Sequence, residues 1–231
     1  MKRGKNYRGV VAKIEMNKIY ILSEAIDIAK NTQRAKFDES IDVAINLNLK
    51  KSHSFRGVLS FPHRFGKETR ILVFAKGEYA QEAEKSGADY VGSEDLVEKI
   101  KDGFLDFDVA VATPDLMPLV GKLGPILGRR GLMPNPKTQT VTRDIKRTVQ
   151  ALKKGRLEYK ADKEGVLHFR MGKCSMNSSA LYENFNELLS EVSHRRPVDV
   201  KGNFIKSIFI STTMGPSVRI DALRALEDIK K

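Results

Sequence analysis

The stretch RILVFAKGEYAQEAEKSGADYVG, residues 70–92, decides the fold class of this chain. An apolar run over residues 71–75 is typical of a buried strand, residues 77–87 favour a short helix that Gly87 ends, and residues 88–92 favour a second strand. The pattern repeats in SEDLVEKIKDG, a predicted helix, and FDVAVAT, a predicted strand. Strands that alternate with helices at this spacing predict an α/β fold with a parallel sheet covered by helices.

The predicted parallel unit continues to residue 158. Ser93 is a candidate N-cap of the second helix, and Gly103 is a candidate end for it. PDLMPLVGKL, residues 114–123, favours a third helix, and residues 142–154 favour a fourth that is amphipathic. We therefore expect one compact α/β domain over residues 67–158.

The two flanks carry the pattern of half-solvated strands. In SIDVAINLNL, residues 40–49, apolar and polar residues alternate, as they do in a strand with one face on a core. Further strands are predicted in RGVLSF, RLEYKA, GVLHFRMG and FIKSIFIS, and amphipathic helices in ILSEAIDIAKNTQ and SALYENFNELLSEV. Neither flank alone has enough elements for a core. We therefore expect residues 1–66 and 159–231 to fold together as one discontinuous domain, an α+β/α/β sandwich, into which residues 67–158 are inserted.

The charge of the chain indicates a polyanionic partner. Among 231 residues, 41 are Lys or Arg and 29 are Asp or Glu, which gives a net charge of +12 and a pI near 9.7. Residues 67–158 hold 16 basic and 14 acidic residues, whereas the flanks hold 25 and 15. Nucleic acid is the first candidate partner and an anionic membrane surface is the second.

The sequence has few features of an enzyme, a metalloprotein or an exported protein. It contains no glycine motif for binding a dinucleotide or a phosphate, no nucleophile motif and only four scattered histidines, so we expect no cofactor, no metal and no catalytic residue. Cys174, the single cysteine, is interpreted as structural, and Asp38 and Glu39 as cap and solvated-surface residues. Because no apolar run approaches the ~18 residues of a membrane span and no secretory signal is evident, we expect a cytoplasmic protein.

One loop of the insert is a candidate site for phosphate. GKLGPILGRRGLMPNPK, residues 121–137, has glycines and prolines that predict little regular structure over much of its length. Its cations are Lys122, Arg129, Arg130 and Lys137. Glycine amides beside cationic side chains suit phosphate oxygens, which favours a phosphate contact over a merely flexible loop tip.

Three motifs resemble the large-subunit ribosomal protein L-one family, in the same order and over almost the whole chain: AKFDESIDVAINL, GPILGRRGLMPNPK and STTMGPSVRI. The resemblance implies a two-domain α/β protein in which the second domain is a Rossmann-like, three-layer insert. It further implies that the first domain binds large-subunit rRNA at the mobile stalk beside the tRNA exit site, where it assists release of deacylated tRNA. In bacterial members the same surface binds a similar fold in their own messenger and represses its translation.

The resemblance also implies which residues contact RNA. By matching position they are Lys36, Phe37, Ser40, His168, Gly172, Lys173, Ser207, Thr213, Met214 and Gly215. In STTMGPSVRI, the hydroxyls of Thr212 and Thr213 suit phosphate or ribose, and Gly215 would let an RNA backbone approach closely. For Phe37 and Met214, the competing interpretation is that their side chains lie in the core.

Two other functions stay open at this point. The insert could hold a nucleotide in a nucleotide-dependent enzyme, although the phosphate-binding fingerprint is missing. The basic charge could serve a peripheral adaptor for membranes or acidic proteins, although no apolar and basic interfacial helix is evident. The expected partners are large-subunit rRNA, deacylated tRNA in the exit site and the chain's own messenger, with no membrane, and we expect a monomer when free.

Overall fold

The computed structural model describes residues 4–12, 14–15, 18–49, 55–153, 155–197, 199–200 and 202–230. The first elements in chain order are α1 (Lys5–Val11), α2 (Leu22–Asn31), β1 (Ser40–Leu47), β2 (Arg56–Ser60), β3 (Ile71–Phe74), α3 (Glu78–Lys85), β4 (Tyr90–Gly92) and α4 (Glu94–Lys101). They are followed by β5 (Val109–Ala112), α5 (Met117–Gly121), α6 (Gly124–Leu127), α7 (Ile145–Lys153), β6 (Arg156–Lys160), β7 (Val166–Lys173), α8 (Ser178–His194), β8 (Ile205–Thr212), β9 (Ser217–Ile220) and α9 (Ala222–Lys230). This mixture of helices and sheets confirms the predicted α/β class.

The chain divides into two compact units. The flanking unit consists of Met1–Gly66 and Tyr159–Lys231, and the inserted unit consists of Lys67–Glu158. Among the described residues, no helix combines the length and the apolar character needed to span a bilayer.

The flanking unit is built on a four-stranded antiparallel sheet. Its strand order is β7-β1-β8-β9, so β1 is central, and Val43 of β1 lies between Phe169 and Ile210 of its two neighbours. Alternate residues of β1 are buried, as the sequence pattern predicts, and the residues between them are partly accessible. Helices α2 and α8 pack against the buried face, whereas the other face of the sheet stays accessible. A separate two-stranded sheet pairs β2 with β6.

The inserted unit is a parallel sheet between helices, as predicted. Its strand order is β4-β3-β5, and all four residues of β3 are buried. On one face, Leu72 and Phe74 pack with apolar residues of α4, α5 and α6. On the other, Ile71 and Val73 pack with residues of α3 and α7. The continuous apolar run of β3 therefore supplies both cores, because a central parallel strand is buried on both faces.

Two local predictions in the inserted unit are wrong. The helix expected over residues 114–123 is broken into a 3-10 turn, Pro114–Leu116, and α5, because Pro118 lies in the first turn of α5 and cannot continue a helix from before it. The loop over residues 121–137 contains α6 and the 3-10 turns Gly128–Arg130 and Pro136–Thr138. Its leucines explain this order, since the side chains at positions 123 and 127 are fully buried.

The helix caps of the inserted unit also differ in part from expectation. Ser93 stands at the N-cap of α4, but its side chain makes no capping hydrogen bond. A capping hydrogen bond is present at a different helix, α7, where Asp144 Oδ1 accepts the backbone N–H of Arg147 at 3.2 Å. The sequence pattern does not predict α1, β9 or α9 in the flanking unit.

Candidate nucleic-acid interface

A buried carboxylate joins two loops at one end of the antiparallel sheet. Glu39 Oε1 accepts the backbone N–H groups of Arg34 and Ala35 at 2.9 and 2.7 Å, and its Oε2 accepts that of Met214 at 3.0 Å. The loop before β1 and the loop after β8 are thus held by the same side chain. The interpretation of Glu39 as a solvated-surface residue is wrong, since its exposed fraction is 0%.

The hydrogen bonds of Glu39 keep it ionised inside the protein. Burial alone raises the pKa of a carboxyl group, but the N–H donors around Glu39 outweigh burial and hold its pKa below the ordinary value. Each donor is a backbone group whose position the loops fix. The charge therefore stabilises these loop conformations in preference to others.

A second set of contacts brings the end of β7 to the same place. Lys173 Nζ donates to the carbonyl oxygen of Asp38 at 3.1 Å, and the Asp38 carboxylate accepts the backbone N–H and the hydroxyl of Ser175 at 3.1 and 2.9 Å. Lys173 is also the register partner of Ser40 in the sheet. Lys173 thus lies beside the loop that carries Phe37.

Backbone pairing continues past the end of β8. Thr213 donates its backbone N–H to the Ser40 carbonyl at 3.0 Å, and its hydroxyl accepts the Ser40 N–H at 3.0 Å. Three segments that are distant in sequence therefore meet at one end of the sheet. We call the surface that they form the strand-end surface, and it consists of Lys36, Phe37, Lys173, Thr213 and Met214.

The apolar side chains of the strand-end surface lie outside the core. Phe37 is 54% exposed and Met214 is 48% exposed, so the competing core interpretation is wrong for both. A single exposed apolar side chain is ordinary on a soluble surface, but two of them on loops that share one buried carboxylate are typical of an interaction site. Lys36 is also exposed, and Lys173 is partly so.

Thr212 and Gly215 of STTMGPSVRI belong to the interior of the turn after β8. Thr212 is only 3% exposed, so the expectation that its hydroxyl reaches RNA is wrong. A Cβ on Gly215 would lie 2.3 Å from Thr212 Oγ1, closer than real atoms approach. The glycine is therefore required by the fold of this turn, and the close approach that it permits is to Thr212.

Two more residues of the implied RNA set point inward. Ser40 is 7% exposed, and a Cβ on Gly172 would lie 2.4 Å from Leu181 Cδ2 on α8. The vacant side-chain position of Gly172 is thus filled by the core. These two residues support the strand-end surface from beneath, and only their backbones are near it.

His168 and Ser207 lie on the accessible face of the sheet but away from the strand-end surface. His168 pairs with Ala44 and Ser207 with Asn46, whereas the strand-end residues adjoin Ser40. The imidazole Nε2 of His168 is 3.8 Å from Asp162 Oδ2. The structure therefore groups five of the ten implied residues in one cluster with Gly215 at its edge, and places these two further along the strands.

Sequence reasoning missed further residues of this region. Arg34 and Glu39 hold the Met214 loop, and Asp42 and Arg170 lie on the accessible face with 3.9 Å between Oδ1 and Nε. Burial raises the pKa of Asp42, although the positive charges of Arg170 and Lys173 oppose the shift. A simple signal could have identified Glu39, because it has the same strand parity as the buried Ile41.

Cys174 lies under the strand-end surface and has no features of a nucleophile. It is 5% exposed, and burial together with the carboxylates of Glu39 and Asp38 raises the pKa of its thiol to about 11. The structural interpretation of this cysteine agrees with its position.

The candidate phosphate contacts of the inserted unit lie on its surface. Lys122, Arg129 and Arg130 are exposed, and none of them has an ion-pair partner in the part of the chain that the structure describes. The two arginines form a 3-10 turn that ends at Gly131, whose φ of +70° is left-handed. The side chain of Lys137 lies outside the described part.

Comparison with known proteins assigns a family to this chain. The model of the ribosomal protein L1p/L10e family matches residues 29–216, which include all the strand-end residues. The chain belongs to this family. A large ribosomal subunit protein uL1 of Borrelia duttonii (strain Ly) is 58% identical over 220 residues, which cover 95% of this chain and 98% of that protein.

More distant relatives give the same result. The uL1 protein of Borreliella burgdorferi (strain ATCC 35210 / DSM 4680 / CIP 102532 / B31) is 54% identical over 220 residues, covering 95% of this chain and 97% of its own. That of Treponema denticola is 51% identical over 221 residues, covering 96% and 98%. The chain is thus a ribosomal protein, ribosome-bound in the cytoplasm, and not an enzyme, so the nucleotide-dependent alternative is rejected.

Proposed function

We propose that this chain is a structural component of the large ribosomal subunit and that its flanking unit binds large-subunit rRNA through the strand-end surface. The observation that carries the proposal is the exposure of Phe37 and Met214 on loops that a buried, ionised Glu39 holds in place. Two lysines stand in the same small area. An aromatic ring can stack on a base, a thioether can pack against a base or a ribose, and cations can neutralise phosphates.

Rigidity is the main advantage of this surface for RNA recognition. The loops make their hydrogen bonds within the protein, so little conformational entropy is lost when RNA binds. Recognition then depends on the shape of a folded RNA that fits the ring and the methionine together. The peripheral cations add affinity that falls as salt concentration rises.

We extend the proposal to the other implied partners. The chain would bind rRNA at the mobile stalk beside the tRNA exit site, assist release of deacylated tRNA there, and repress its own messenger by binding a similar fold. One surface cannot hold two RNAs at once, so rRNA and messenger would compete for it. The exposed cations at positions 122, 129 and 130 would make a secondary contact with RNA phosphates.

The proposal is tested by measuring binding of the full chain to a large-subunit rRNA fragment that contains the stalk. We expect Phe37→Ala and Met214→Ala each to weaken binding by about tenfold or more, because each loses a stacking or packing contact with RNA. Leu223→Ala is the matched control, since Leu223 is 62% exposed on α9 and should leave affinity unchanged. Unchanged affinity in both test variants, with normal unfolding midpoints, would refute the assignment of the surface.

The shared use of the surface has its own test. If rRNA and the messenger leader occupy the same site, an excess of either unlabelled RNA should displace the other. Phe37→Ala should then weaken both complexes by similar factors. Simultaneous binding of both RNAs to one protein molecule would contradict a common site.

A further inference from the structure

Arg34 occupies a position between three parts of the flanking unit. It lies in the turn after α2, and its side-chain Nε donates to the carbonyl oxygen of Met214 at 2.9 Å. Its guanidinium carbon is 5.2 Å from the centroid of the Tyr7 ring on α1, a cation–π distance. Its own backbone N–H is one of the donors to Glu39. The side chain is therefore fixed from two sides at the edge of the strand-end surface.

The charge of Arg34 is available to a ligand. The side chain is exposed, and no carboxylate within the described residues forms an ion pair with it. Its Nε is committed to Met214, but the two terminal nitrogens make no hydrogen bond to any described residue. A planar guanidinium that is held in place with free terminal N–H groups is suited to bidentate binding of a phosphate.

We propose that Arg34 is an RNA-binding residue that contacts a backbone phosphate through its terminal nitrogens while its Nε holds the Met214 loop. This inference rests on the proposed function, because it needs RNA on the strand-end surface. It adds a cation that the family resemblance does not imply, next to the exposed methionine. It also gives Tyr7 a role, since the ring keeps the guanidinium plane in position.

A purely internal role for Arg34 makes a different prediction from phosphate contact. Loss of a phosphate contact reduces the slope of log affinity against log salt by about 0.7–0.9, whereas loss of a loop-holding hydrogen bond lowers affinity without changing the slope. Arg34→Gln removes the charge. Tyr7→Leu keeps the charge but removes the ring beneath it.

The experiment is a salt titration of binding between the full chain and the stalk-containing rRNA fragment. We expect Arg34→Gln to weaken binding about tenfold at low salt and to reduce the slope of log affinity against log salt by about 0.7–0.9. Tyr7→Leu should weaken binding but leave this slope unchanged. Arg224→Gln is the matched control, because Arg224 is an exposed arginine that follows the end of β9 remote from Met214. It should change neither affinity nor slope beyond the small effect of net charge.

The outcomes separate this inference from the proposed function. If the unaltered chain binds the fragment and Arg34→Gln lowers affinity with an unchanged slope, or changes nothing, the phosphate contact is overturned and the proposed function stands. If the unaltered chain does not bind the fragment, both are overturned. Denaturant unfolding of each variant identifies any loss of affinity that comes from loss of fold.

Discussion

The buried carboxylate of Glu39 accepts the backbone N–H of Met214 at 3.0 Å, and so an ionised group in the core sets the position of an exposed methionine. The same carboxylate accepts the N–H groups of Arg34 and Ala35. The shape of the strand-end surface therefore depends on a residue that no RNA could touch.

Replacing Glu39 with glutamine tests this dependence. The amide keeps the size of the side chain but offers one acceptor oxygen, and its NH₂ group would face at least one backbone N–H. We expect Glu39→Gln to lower the free energy of unfolding by about 1–3 kcal/mol and to weaken binding to the rRNA fragment. Urea unfolding at pH 7 measures the first effect and a binding titration the second. Asp38→Asn, which alters the exposed neighbouring carboxylate, is the control and should cost less.

The lowered pKa of Glu39 also predicts how the difference in unfolding free energy between the unaltered chain and Glu39→Gln depends on pH. A carboxyl group whose pKa is lower in the folded state stabilises the fold above its unfolded pKa, ordinarily 4.5, and this stabilisation is lost as the pH falls through the lower, folded value. The unfolding free energies of the unaltered chain and of Glu39→Gln should therefore converge below about pH 4.5. A difference that stays constant from pH 7 to pH 3 would show that the charge of Glu39 does not contribute.

Gly215 and Thr212 should behave as a coupled pair. A Cβ at position 215 would meet Thr212 Oγ1 at 2.3 Å, and the backbone N–H of Gly215 donates to the Thr212 carbonyl at 3.2 Å across the same turn. We expect Gly215→Ala to cost about 1–3 kcal/mol of stability by overpacking. Adding Thr212→Ala removes the obstructing oxygen, so the double variant should be more stable than the sum of the single effects by about 1 kcal/mol. Strict additivity in denaturant unfolding would mean that the glycine is needed for another reason.

Cys174 should be protected in the native state. Its burial and a thiol pKa of about 11 leave very little thiolate at pH 8, and the thiolate is the reactive form. We expect iodoacetamide to alkylate the native chain at least about 100-fold more slowly than the chain in urea, as mass spectrometry would show. Equal rates in the two states would contradict the burial of this thiol.

The sequence predicts the inserted unit well because its signals are local. The apolar run of β3 and the periodicity of α7 need no information from elsewhere in the chain. The interface is harder to predict, since the parity of the strands places Glu39 and Thr212 inward but only the folded loops show what they bond. Gly215 is the clearest case, because its neighbour is a side chain three residues away across a turn whose geometry the sequence does not specify.

The exposed arginines of the inserted unit should matter only where RNA lies beyond the strand-end surface. Arg129 and Arg130 form a 3-10 turn in the inserted unit, whereas the strand-end surface belongs wholly to the flanking unit. We expect the double variant Arg129→Ala, Arg130→Ala to bind an isolated stalk fragment about as tightly as the unaltered chain. On assembled large subunits it should give weaker protection of RNA in footprinting at positions near the inserted unit, because two phosphate contacts are lost. Replacing Lys99 and Lys101 of α4, two exposed lysines in the more acidic half of the same unit, is the control for net charge. Equal losses of affinity in the fragment and subunit assays would mean that the two units do not divide RNA binding in this way.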